Sequence, residues 1–347
     1  MNVLFLGGSN FVIKNGISTQ VPDALAASGC KINNVFNISV GATGSLFGIE
    51  NFSLFGKKDI DLVFIEYGIN DLPAYGNDKF LWEISFEYLI QSVRAKYPLA
   101  HIVVVLLGRE PEKFWKSQFG MHKAMAEVSK RAGCLVIDVN ARIKSKAKIL
   151  GKLADFYSDD SHYLSPNVTS YIARYIVSEY LLFSQMGMFD SKNKKSLNPK
   201  YDFKLSSVSG DVFCFENNRF KTYSSKIEVG STVEMEVPGV PVAVSFVSTK
   251  GSSSLLLEIE GKKKIVNTLR RLQESSKLPF IIKQIPLYKL IDKGEEFRPQ
   301  KLKLTPLNKE SEAWDGSIMQ KTYGMVPSDS NKGGCVLVSH IMSVCKL

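Results

Sequence analysis

The run Val103-Val104-Val105-Leu106-Leu107 constrains the fold more than any other feature of the chain. It is apolar without alternation, so a strand built from it must be covered on both faces, as in a parallel sheet flanked by helices. Short apolar runs at Val3–Leu6, Ile32–Ile38, Leu62–Glu66 and Leu135–Val139 join a strand at Ile102–Leu107 in the first half of the sequence. Helical period fills the intervals near 17–28, 78–96, 111–132 and 141–150, and returns from about Pro166 to Gln185. Strands alternating with helices predict an α/β domain over residues 1–185. Ser165-Pro166 suits the N-cap and first-turn positions of the last helix.

The pattern then changes. Residues 186–207, with Asp190, Lys192, Lys194, Lys195, Asn198 and Pro199, read as an exposed linker. Beyond it, Val233, Met235 and Val237, and then Val240, Val242, Val244 and Phe246, repeat every second residue. Leu255–Ile259 and Cys335–Val344 are further strand candidates, and Gly, Ser, Asn and Pro separate them. This predicts a mainly β, sandwich-like accessory domain over 208–347. A length of 347 residues fits two such domains.

No apolar stretch reaches the ~20 residues that a membrane span needs. The N-terminus reads as a buried first strand in place of a signal peptide. Cys30, Cys134, Cys214, Cys335 and Cys345 show neither CxxC pairs nor zinc-ligand spacing. Reduced thiols in a cytoplasmic protein, without a metal, are the expectation.

The net charge of +10 divides unevenly. Residues 1–185 hold 19 Lys and Arg against 17 Asp and Glu; residues 186–347 hold 25 against 17. The excess lies in the linker and β domain, densest at Lys262-Lys263-Lys264 and Arg270-Arg271. A solvated hairpin tip accounts for such clusters as readily as an acidic partner does. No helix-turn-helix, zinc-finger or RRM signature accompanies them, so nucleic acid is not the expected partner.

Ligands of open parallel sheets bind beyond the carboxyl ends of the strands. Gly7-Gly8-Ser9-Asn10 follows the first strand, Gly41-Ala42-Thr43-Gly44-Ser45 the second and Gly68-Ile69-Asn70-Asp71 the third. Asp159-Asp160-Ser161-His162 precedes the last helix. Together these hold the parts of an acyl-transfer site. Ser9 is a candidate nucleophile on a glycine turn, His162 the base that takes its proton, and Asp159 the group that orients the imidazole. Backbone N–H groups at Ser9 and Gly41 and the amide of Asn70 are candidate oxyanion donors. Each block has a plainer reading. Ser9 suits a helix N-cap, Asn70-Asp71 a turn, and Asp159-Asp160 the cap of the final helix. Gly41 and Gly44 both fall in the second block, and the spacing from Asn37 favours Gly41. His101, His122 and His340 have no acidic or nucleophilic partner in a motif and read as structural. Tyr67 and Tyr163 border the site as packing residues.

Four blocks in this order resemble the SGNH (GDSL-like) hydrolase superfamily, with Ser9, Gly41, Asn70 in Gly-Ile-Asn-Asp, and His162 with Asp159. The resemblance covers about residues 1–185. It implies a flavodoxin-like three-layer α/β/α domain and hydrolysis or transfer of ester-linked acyl groups. One departure stands out: Gly8 occupies the place of the usual Asp before the nucleophile. No Walker A, GxGxxG, HExxH or GxSxG pattern competes.

An SGNH domain followed by a β domain resembles carbohydrate esterases and the O-acetyltransferases of bacterial surface polysaccharides. The resemblance implies attack by Ser9 on an O-acetyl ester of a glycan, with release to water in an esterase or to a sugar hydroxyl in a transferase. No bound cofactor is implied, with acetyl-CoA the co-substrate of a transferase. The basic β domain is suited to an anionic glycan or to homo-oligomerisation. The alternative is a glycan-binding or polysaccharide-assembly protein on a degenerate, non-catalytic SGNH fold.

Overall fold

Residues 1–189, 200–217, 220–270, 279–290, 297–320 and 333–347 are described in the computed structural model. They fall into two units, Met1–Pro199 and Lys200–Leu347. In the first, strands β1 (Asn2–Gly7), β2 (Asn34–Asn37), β3 (Leu62–Glu66), β4 (His101–Leu106) and β5 (Leu135–Asp138) form one sheet. All pairings are parallel, in the order β2-β1-β3-β4-β5. This is the flavodoxin-like order, whose direction of progression reverses between β1 and β3.

The helices of this unit are α1 (Ile17–Ala27), α2 (Ser45–Leu54), α3 (Leu72–Asn77), α4 (Lys79–Lys96), α5 (Trp115–Arg131), α6 (Val139–Leu150) and α7 (Asn167–Gln185). Helix α1 packs on α7, while α2 packs on α4 and α4 on α5. Val3, Phe5, Leu62, Phe64, Val103 and Val105 share a core with Ile17, Val21, Ile172 and Ile176. The residues between them, Leu4, Leu6, Val63, Ile65 and Val104, point to the opposite face and are equally buried. Both faces are thus covered, which is why the strands lack alternation. Helices α2 and α3 carry no helical stripe to read. In α2 every residue from Ser45 to Glu50 is buried, and α3 is one short segment containing Pro73 and Gly76. Ser165 does not cap α7: Pro166 holds the N-cap position, and the Ser165 hydroxyl donates to the Asn15 carbonyl at 2.6 Å.

In the second unit every pairing between the named strands is antiparallel among the described residues. Strands β6 (Tyr201–Ser206), β7 (Asp211–Glu216), β8 (Lys221–Glu228), β10 (Val240–Ser248), β13 (Ile281–Pro286) and β15 (Cys335–Lys346) form one sheet. Its order is β13-β10-β15-β8-β7, and β6 pairs with β15 beyond the end of β8. A second sheet runs β12-β11-β14-β9, from β9 (Val233–Val237), β11 (Ser254–Ile259), β12 (Lys262–Asn267) and β14 (Gln300–Leu307).

Residues 201–206 are therefore strand where the sequence predicts linker, because β15 is long enough to pair with both β8 and β6. Residues 190–199, which include Lys192, Lys194 and Lys195 of the linker, lie outside the described residues. The cationic clusters also resolve. Ile259 and Lys262 flank a hairpin turn at Glu260-Gly261, Lys263 pairs with Glu258 at 3.0 Å, and Lys264 donates to the Tyr288 carbonyl. Arg270 is buried against the Phe246 ring, and Arg271 lies outside the described residues. No helix among the described residues is long and apolar enough to cross a membrane. All five cysteines are free thiols.

Candidate active site

The nucleophile turn grows out of the contact between β1 and β3. At Gly7 a Cβ atom would lie 2.7 Å from the Glu66 carbonyl oxygen, so only glycine allows the strands to end this close. The Gly8 N–H donates to that same carbonyl at 3.0 Å. Ser9 then opens a 3-10 turn, Ser9–Phe11, closed by Phe11 N–H to Gly8 O and Val12 N–H to Ser9 O. Its hydroxyl leaves the turn toward His162 and donates to Nε2 at 2.8 Å. His162 Nδ1 donates to Asp159 Oδ2 at 2.6 Å, which assigns the ring proton to Nδ1 and leaves Nε2 as the acceptor.

Asp159 is itself fixed. Its Oδ1 accepts the backbone N–H groups of Ser161 at 2.8 Å and His162 at 3.0 Å. Burial acts to raise this carboxyl, but the bonds from His162 and Ser161 outweigh it and hold Asp159 below the ordinary carboxylate range. A charged Asp159 keeps the imidazole oriented and favours the cation that forms when it takes the Ser9 proton.

On the other side of Ser9 lie Gly41 and Asn70. A Cβ at Gly41 would stand 3.9 Å from the Ser9 Cβ, and the loop reaches this position through Ala42 at φ +56°. Gly44, the other glycine of that block, faces away from Ser9: its Cβ would fall 2.4 Å from Asp71 Oδ1. Asn70 Nδ2 donates one proton to the Thr43 carbonyl at 3.0 Å, and an amide nitrogen carries a second. That nitrogen lies over Gly8, where a Cβ would stand 2.0 Å from it. Gly8 in place of Asp is thus a steric fit to Asn70. No acceptor among the described residues takes the Ser9 N–H. The five residues read from the sequence, Ser9, Gly41, Asn70, Asp159 and His162, are brought together.

The supporting groups are less visible in the sequence. Asp71 is buried and clamps two helices, accepting Ser45 N–H of α2 at 2.7 Å and Trp82 Nε1–H of α4 at 3.0 Å. Burial pushes its carboxyl up to about 6 against the opposing pull of Ser45 and Trp82. Glu66, the last residue of β3, is 1% exposed. Burial pushes it up to about 8; the Gly8, Ile69 and Gly68 N–H groups lower it, and neighbouring Asp71 raises it further. Below the loop, Gln118 and His122 of α5 approach the Gly68 carbonyl at 3.4 and 3.2 Å. Burial holds His122 below the usual histidine range. Tyr163 is buried, and its hydroxyl accepts the Gly108 N–H at 3.0 Å. The Asp160 side chain is exposed, while its carbonyl accepts Glu110 N–H. His101 packs on Phe189 and meets the Tyr180 hydroxyl, away from these groups.

By sequence the chain matches no family model and no curated protein. By structure, all of it matches a two-domain esterase (CEX) active on acetylated mannans, covering 92% of that chain at 10% identity and a TM-score of 0.63. The same esterase co-crystallised with mannopentaose matches at 11% identity and a TM-score of 0.66, again over 100% of this chain and 92% of that one. The likeness shows the fold, a parallel α/β unit followed by an antiparallel β unit as in that two-domain esterase. A catalytic mutant of the acetylxylan esterase Axe2 from Geobacillus stearothermophilus matches 51% of this chain and 93% of its own, at 18% identity and a TM-score of 0.43. The four blocks read from the sequence meet near the carboxyl ends of β1 and β3, where the strand order reverses.

Proposed function

We propose that the chain is a serine esterase that removes O-acetyl groups from a glycan. The observation that carries this reading is the unbroken relay from Ser9 Oγ to His162 Nε2 and from His162 Nδ1 to Asp159, at 2.8 and 2.6 Å. A serine hydroxyl is a weak nucleophile until a base within hydrogen-bond reach accepts its proton. In the proposed reaction Ser9 Oγ bonds to the acetyl carbonyl carbon as its proton passes to His162. The carbonyl oxygen becomes an oxyanion, held by the second Asn70 amide proton and the backbone N–H groups of Ser9 and Gly41. Collapse breaks the ester bond, and His162 returns the proton to the leaving sugar oxygen. Water, activated by the same imidazole, then releases acetate from Ser9. Support for an acetylated glycan as substrate comes from the whole-chain likeness to the esterase active on acetylated mannans.

Acetate release from acetylated mannan and acetylated xylan tests the reading. Release by the wild type that is lost in Ser9→Ala is expected. No release from either polymer, with saturable binding to both, would point to a binding module. Acetyl transfer from labelled acetyl-CoA to a glycan without net hydrolysis would replace the esterase by a transferase.

A further inference from the structure

The loop that carries Asp159 and His162 needs a hold on the nucleophile turn, because both side chains are partly open to solvent, 54% and 27% exposed. That hold is the residue next to Ser9. The Asn10 side chain donates through Nδ2 to the Ser161 carbonyl at 2.9 Å and accepts the Tyr163 N–H through Oδ1 at 3.4 Å. These are the backbone groups immediately before and after His162. The amide can adopt only this orientation, since a flip would set its carbonyl against the Ser161 carbonyl and its NH2 against an N–H. At 2% exposure Asn10 is closed to solvent, so its removal orphans backbone groups that bulk water does not readily satisfy.

We infer that Asn10 is the positioning residue for the general base, clamping the peptide on both sides of His162 so that Nε2 stays in register with Ser9. The inference rests on the serine-esterase reading of the site. Its physical content is that one dipeptide, Ser9-Asn10, supplies both the nucleophile and the bracket for its base. A shift of the turn then carries both partners together, and the 2.8 Å contact survives it. Within the loop the His162 backbone is also braced locally, its N–H donating to Asp159 Oδ1 at 3.0 Å and its carbonyl accepting the Ser158 N–H at 2.8 Å, while Glu110 N–H donates to the Asp160 carbonyl and Gly108 N–H to the Tyr163 hydroxyl.

The test compares wild type, Asn10→Ala, Asn10→Asp and Ser9→Ala with p-nitrophenyl acetate, each rate divided by the folded concentration measured from circular dichroism. Asn10→Asp is nearly isosteric and keeps the acceptor for Tyr163 while losing the donor to Ser161. It therefore decides the matter should the alanine variant fail to fold. The expected result is a 10–100-fold fall in kcat with KM within about twofold of wild type. The downfield NMR resonance of the proton between His162 and Asp159 is expected to broaden or vanish in both variants, a change that a general loss of stability in a folded protein would not cause. A kcat within twofold of wild type in the aspartate variant, or an unchanged resonance, overturns the inference. A wild type no faster than Ser9→Ala overturns the esterase reading instead, and the resonance still reports on Asn10.

Discussion

Replacing Glu66 by glutamine is expected to flatten the pH dependence of stability in the first unit. The Glu66 carboxyl is buried and pushed from 4.5 to about 8. Between those values the folded chain keeps a proton that the unfolded chain releases. The contribution of this group is therefore full below about pH 4.5 and is lost as pH rises through 8. Each pH unit in that window removes about 1.4 kcal/mol. Across it the loss is roughly 5 kcal/mol, a large part of the stability of an ordinary domain. Asp71, pushed to about 6, adds a slope of the same sign at the acidic end and is present in both proteins. A glutamine cannot ionise, so the stability difference between variant and wild type is expected to grow in the variant's favour by about 1.4 kcal/mol per pH unit from pH 5 to 8. Urea unfolding, read from Trp82 and Trp115 in a Trp314→Phe background, measures this within the first unit. Parallel pH profiles for the two proteins would show that the folded chain does not hold the Glu66 proton above its ordinary range.

Three further substitutions probe the site. Asn70→Ala is expected to lower kcat about 10²–10³-fold, or about 2.7–4 kcal/mol, with KM little changed in steady-state assays. Gly8→Ala is expected to approach the same loss, because its Cβ occupies the place of Asn70 Nδ2. The double variant should then lose little more than either single one, and additive losses would contradict the shared cause. Asp71→Asn cannot accept from both Ser45 N–H and Trp82 Nε1–H; a loss of about 1–3 kcal/mol is expected, checked by thermal unfolding together with Trp82 emission.

The first-unit sheet was legible because covering a strand on both faces leaves a run with no alternation, and Leu62–Glu66 and Val103–Leu107 are such runs. Helices α2 and α3 were not, since burial on all sides in one and short length in the other erase the helical stripe. The chemistry-bearing residues were legible by position: Ser9 and Asn70 sit just past strand ends, and Asp159 stands three residues before His162, close enough for a local turn to join them. Their supports are long-range and leave no local trace. Asn10 meets Ser161 across 151 positions, and His122 meets the Gly68 carbonyl across 54. Glu66 ends an otherwise apolar strand, and its character comes from what folds over it. Arg270 shows the converse: it adds to a cationic cluster in the sequence, yet the fold buries it against Phe246.

In the proposed reaction Ser9 is a nucleophile activated by His162. Intact-mass measurement after treatment with a fluorophosphonate, followed by peptide mapping, tests it most directly. A single adduct on Ser9 is expected in the wild type, formed far more slowly in His162→Ala and absent from Ser9→Ala. An adduct at another residue, or undiminished acetate release by Ser9→Ala, would show that Ser9 is not the nucleophile.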